Sequence, residues 1–224
     1  MKLTKYLVLP LVWVLFLSAC KLDLSSRINL GDLNRVALSQ DAGVTGRGTL
    51  KLEVGSVIQC QNESQFFSSV LEKHLVGFKI RPCEQIGMES YFVAEFQIPI
   101  LSSGKDNNSL IAINATRSSQ IGGVEVDLLL NQASFRMINK AIEAKYFQKL
   151  DFARSRISIR LDNDQLTYHD ILASDVFADG LPVVGLKAFG LKPGAHLNII
   201  LSDVQREFFS IYSRVPLFKL VLSI

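Results

Sequence analysis

Apolar and polar residues alternate over several short stretches of this chain, and at two places they recur instead at helical spacing. Leu50, Leu52 and Val54 alternate with Lys51 and Glu53, the period-2 pattern of a half-buried strand. Residues 90–100 repeat it, with Phe92, Ala94, Phe96, Ile98 and Ile100 on one face and Glu95 and Gln97 on the other; Pro99, lacking a backbone donor, suggests an edge or a strand end. Further strands are expected at 110–116, 123–130, 157–161, 166–176, 182–189, 196–202 and 216–224. Asp179-Gly180 marks a hairpin and Lys192-Pro193-Gly194 a second turn. Helical spacing appears over residues 62–76, where Asn62 or Ser64 would cap and Phe66/Phe67, Val70/Leu71 and His74/Leu75 recur, and over 132–148, capped by Asn131, with Phe135, Ile138, Ala141/Ile142 and Tyr146 inward.

Residues 21–48 are polar and irregular by the same reading and look like a tether with a docking segment. Beyond Leu150 the pattern reads as strand throughout. These patterns predict an α+β fold: an N-terminal α+β unit with two helices over 48–149, then a small, sandwich-like antiparallel β unit over 150–224, with residues 20–47 as tether.

The first twenty residues change the picture most. Lys2 and Lys5, the apolar run Leu7 to Leu17 and the closing Leu17-Ser18-Ala19-Cys20 have the order of a signal peptide spanning residues 1–19. The run is shorter than the roughly 20 apolar residues that a bilayer-spanning helix needs. Leu-Ser-Ala-Cys resembles the lipobox of bacterial lipoproteins. The resemblance implies cleavage before Cys20, a diacylglycerol on its thiol and a further acyl chain such as palmitate on its amine. Lys21 is not the Asp that favours inner-membrane retention in such lipoproteins, which implies the outer membrane if the host has two.

Composition then removes one class of partner. Residues 1–19 hold two of the 24 Lys and Arg and none of the 21 Asp and Glu, so the remainder carries a net charge of +1. The basic pI of about 8.7 is partly a property of the leader, and nothing in the composition argues for nucleic acid. Of three cysteines, the lipobox takes Cys20; Cys60 and Cys83 remain as an even pair that reads as a disulfide in an oxidising compartment.

Other chemistry is sparse. His74, His169 and His196 are far apart and none stands in a metal-ligand spacing. His169-Asp170 could be drawn into a hydrolase triad, yet no Gly-x-Ser-x-Gly elbow accompanies it, and neighbours on a strand face opposite ways. No phosphate loop is present, and no cofactor, metal site or catalytic residue is indicated. Cys20-Lys21-Leu22-Asp23, Ile28-Asn29-Leu30-Gly31-Asp32-Leu33, Gly48-Thr49-Leu50-Lys51-Leu52-Glu53-Val54, Phe96-Gln97-Ile98-Pro99-Ile100 and Ile200-Leu201-Ser202-Asp203-Val204 together resemble a family of small bacterial, phage- and plasmid-borne lipoproteins of unknown function. The resulting expectation is a cell-envelope protein, held to the membrane through an acyl anchor on Cys20, that binds or shields an envelope protein or ligand. An envelope hydrolase with an unrecognised site and an apolar-ligand carrier are the alternatives.

Overall fold

The computed structural model describes residues 21–39, 43–102, 105, 107–118 and 122–221. The expected signal peptide and Cys20 lie outside them. Along the chain, β1 (Leu22–Asn29), α1 (Leu30–Ser39), β2 (Thr45–Val54), α2 (Val57–Leu71), β3 (Val76–Ile86) and β4 (Glu89–Leu101) come first. β5 (Ile111–Ser118), β6 (Gly123–Leu130) and α3 (Gln132–Tyr146) follow, then a 3-10 turn at Phe152–Arg154 and β7 (Arg156–Asp162). β8 (His169–Ala173), β9 (Val176–Ala178), β10 (Leu181–Val183), β11 (Lys187–Leu191), β12 (His196–Leu201), α4 (Asp203–Tyr212) and β13 (Arg214–Val221) complete the order.

These strands form one barrel-like sheet in the order β10-β9-β12-β7-β1-β2-β4-β5-β6-β13-β8-β11, with β3 added to β4. The two ends of that path meet in a single bent hairpin over residues 169–191. Its base, β8 and β11, pairs with β13, and its tip, β9 and β10, pairs with β12. Both arms bend where the backbone turns left-handed, at Asp175 (φ 56°) and Gly185 (φ 71°). The hairpin thus closes the seam between β12 and β13.

The α+β fold with two successive units is overturned by the pairing. β1 lies between β2 and β7, joined to β7 in parallel from Asp23↔Arg156 to Asn29↔Asp162, and β6 pairs with β13. Strands from both sides of residue 150 therefore share one sheet around one core, and the protein is mostly β. The predicted tether is also corrected from residue 22 onward: Leu22, Leu24 and Ile28 are buried in a central strand, and Leu30, Leu33 and Val36 seat α1 on β1, β4, β5 and β6.

Besides α1, two helices depart from expectation. α2 begins five residues early because Gly55 ends β2 and Ser56 caps the helix, accepting from Gln59 N at 3.1 Å. The region beyond Leu150 is not all strand, since Ser202 caps α4 by accepting from Gln205 N at 3.3 Å. α3 and its Asn131 cap fall where the periodicity predicts. Pro99 is not on an edge: β4 is paired on both sides, but Pro99 falls between the stretch bonded to β3 and the stretch bonded to β5. Ile100 N donates to Val44 O on the β2 side, so the missing donor at Pro99 faces the opposite side, where that gap lies.

Leu24, Leu50, Phe92, Ile113, Ile159 and Leu220 point into one continuous apolar core, each contributing about 1.5–3 kcal/mol by its burial. Outward positions on the same strands carry Arg27, Lys51, Glu95 and Arg160. A barrel that crosses a membrane has the reverse arrangement, apolar outside and polar within. No described helix is long and apolar enough to cross a membrane.

Candidate functional site

Alternation on β1, β2 and β7 places three arginines on the solvent face, and the register places them side by side. Arg27 is the partner of Arg47 on β2 and of Arg160 on β7, so three guanidinium side chains lie in one row across three adjacent strands. Strands are about 4.8 Å apart, and like charges directly opposite one another destabilise a sheet. A second row of Thr49, Ser25 and Ser158 runs beside the first. Together they line a groove of about 320 Å³.

The row is only partly neutralised. Asp162 takes Arg27 Nε at 2.5 Å and Arg160 Nε at 2.9 Å. Burial alone would raise this carboxyl, but the hydrogen bonds from Arg160 and Arg27 outweigh it and hold it below the usual carboxylate range. At one end Asn198 is engaged by Asp179, whose Oδ1 accepts its backbone N at 2.9 Å. Arg47 is exposed and forms no ion pair with a carboxylate among the described residues. Ser26 also lines the groove; it is 8% exposed, and its Oγ has no hydrogen-bond partner among the described residues.

Between Arg47 and Thr49, Gly48 faces the core. A Cβ there would stand 2.5 Å from the Phe96 ring, which lies across this glycine from β4. A second groove of about 350 Å³ shares Arg47 and Thr49 and continues toward Lys79 and Arg81, where Arg81 pairs with Glu95 at 2.6 Å. The first groove presents guanidinium and hydroxyl groups, and no histidine, cysteine or carboxylate lines it. It can hold an oxyanion; it offers no nucleophile paired with a base.

The residues singled out from sequence are elsewhere. Cys60 and Cys83 are bonded, with α-carbons 6.2 Å apart, and tie the first turn of α2 to β3. His169 is buried, with Nε2 at 2.7 Å from Gln165 Oε1 and 2.9 Å from Thr167 Oγ1, while Asp170 turns outward to Tyr168. Burial lowers the pKa of His74, with Lys73 adding to it. His196 is exposed opposite Asp162. The structure brings none of these histidines together with a cysteine or a serine in a site, and among the described residues no group of three His, Cys, Asp or Glu could hold a metal ion. The arginine row escaped the sequence reading because β1 and β7 are separated by more than a hundred residues; each arginine shows there only as one polar position in an alternating strand.

The family comparison matches residues 22–215, from the first residue of β1 into β13, to a family described as a domain of unknown function (DUF7424). The chain belongs to that family. The match runs as one domain from β1 through β12 and α4 to the start of β13, across residue 150, in agreement with the shared sheet. No curated protein and no solved structure shows significant similarity to the chain.

Proposed function

We propose that this DUF7424 protein is a lipid-anchored cell-envelope binding module whose barrel wall holds a multivalent oxyanion, phosphate- or carboxylate-bearing, at Arg27, Arg47 and Arg160. The observation that carries the reading is the row itself: three guanidinium groups in cross-strand register over buried backbone, with a single carboxylate between two of them. That arrangement costs stability in the free protein, and a bound anion recovers it through charge-assisted hydrogen bonds of about 1.5–3 kcal/mol each. The hydroxyls of Ser25, Thr49 and Ser158 supply further donors. The Leu17-Ser18-Ala19-Cys20 sequence supports the anchor, with the outer membrane as its destination in a two-membrane host, and the Cys60–Cys83 bond suits an oxidising compartment.

Two measurements test the two halves. Thermal unfolding with inorganic pyrophosphate, and separately with citrate, distinguishes phosphate from carboxylate ligands; at a hundredfold excess over Kd the ligand stabilises by about 2.7 kcal/mol. No shift with either anion refutes the binding site. For the anchor, Cys20→Ala is expected to move the protein from the membrane to the soluble fraction with the fold intact, and retention of the variant on membranes after a high-salt wash refutes it.

A further inference from the structure

The folded wall begins without slack after Cys20. Lys21 O accepts from Glu53 N at 2.9 Å, extending the β1–β2 ladder by one residue, and Lys21 Nζ pairs with Glu89 beside the β3–β4 turn. One extended residue spans at most about 3.6 Å. Acyl chains on Cys20 would therefore bring the bilayer against this end of the barrel, with no tether to hold it off.

The same end is closed by α3 and α4. β1 and β7 begin here and β12 ends here, as the pairs Asp23↔Arg156 and Ile200↔Ser158 fix. α4 runs from the end of β12 to the start of β13, and α3 runs from the end of β6 to the 3-10 turn before β7, so both cross between the same two parts of the sheet. Gln132 Nε2 donates to Ser210 O at 3.3 Å between them, and the rings of Phe135, Phe152 and Phe209 form a chain beneath. Phe209 and Gln205 fill the inner face of α4.

Its outer face is apolar as well. Val204, Phe208, Ile211 and Tyr212, at helical spacing, are between 44% and 74% exposed. Elsewhere at this end Met88, in the β3–β4 turn, is 98% exposed, and Ile58, in the first turn of α2, is exposed as well. Arg154 and Arg156 are exposed nearby, where they can meet lipid phosphates.

We propose that this capped end is a membrane-docking surface: the outer face of α4, with Met88 and Ile58 at the same end of the barrel, enters the headgroup–acyl boundary of the bilayer. The proposal rests on the reading that Cys20 is acylated. The absence of a tether argues for lipid as the occupant, because a bilayer anchored one residue from β1 is already at this surface. Docking in this way sets the arginine row away from the membrane, since Arg27 lies five residues along β1 from Leu22, about 17 Å at strand rise.

The test uses the lipidated full chain on phosphatidylcholine vesicles with brominated acyl chains. The one tryptophan of the sequence, Trp13, precedes Cys20, so the processed chain has none of its own. Phe208→Trp is expected to lose at least half of its emission on brominated vesicles, whereas Leu166→Trp, beyond the far end of β7, is expected to lose none. Adding Ile211→Asp to Phe208→Trp should abolish the quenching while the protein still floats with the vesicles. Floating Phe208→Trp protein whose emission stays unquenched overturns the docking surface and leaves the anchor standing. Protein that fails to float overturns both. A concentration-dependent blue shift of Phe208→Trp without vesicles assigns the face to a second copy of the chain and overturns the lipid proposal.

Discussion

Asp162 decides how much of the arginine row is free. It receives both Arg27 and Arg160, and it is the carboxylate that the row faces directly. Asp162→Asn keeps the shape and removes the charge. The variant is expected to lose about 1 kcal/mol of stability, a modest figure because both guanidinium groups are about half exposed, and to bind pyrophosphate several-fold more tightly; weaker binding would place the anion elsewhere. The same carboxylate gives a pH dependence. Its pKa is lower in the folded chain than in the unfolded one, so its contribution is complete above the ordinary carboxylate range and is lost as pH falls through the lowered value. Denaturant titrations between pH 7 and pH 3 should show wild type losing more stability than Asp162→Asn.

At the scale of elements, the Cys60–Cys83 bond holds the start of α2 against β3, a strand that among the described residues pairs only with β4 and is exposed along much of its length. Reduction, or the double change to alanine, is expected to destabilise by about 3 kcal/mol for a loop of this size. Protection of β3 amides from hydrogen exchange should fall before that of β1; equal loss in both would mean that the bond does not act locally. Elements that advertise themselves by periodicity were legible in the sequence: α3 with its Asn131 cap, the Asp179-Gly180 turn and the alternation of β2 and β4. α4 was missed although Ser202-Asp203-Val204-Gln205 is a capping-box sequence, because an apolar residue on its outer face, Val204, blurs the helical stripe. α1 was missed because its ten residues are short and polar enough to read as tether. The arginine groove was not legible at all, since alternation shows that Arg27 and Arg160 face solvent but not that they are neighbours.

At the scale of the molecule, a sheet shared across residue 150 makes the chain one cooperative unit. A fragment of residues 21–149 leaves β1 without β7 and β6 without β13, and it is expected to remain unfolded by circular dichroism and NMR dispersion. A folded fragment would restore the two-unit organisation that the pairing excludes. This wall is proposed to hold an oxyanion at the arginine row. Isothermal titration of pyrophosphate into wild type, Arg47→Ala and the control Lys192→Ala, which lies in the turn before β12, tests it most directly. Saturable binding is expected for wild type and Lys192→Ala, with affinity at least tenfold weaker in Arg47→Ala and thermal stability of that variant equal or slightly raised by the relieved repulsion. Equal affinity in all three proteins, or no saturable heat in wild type, would contradict it.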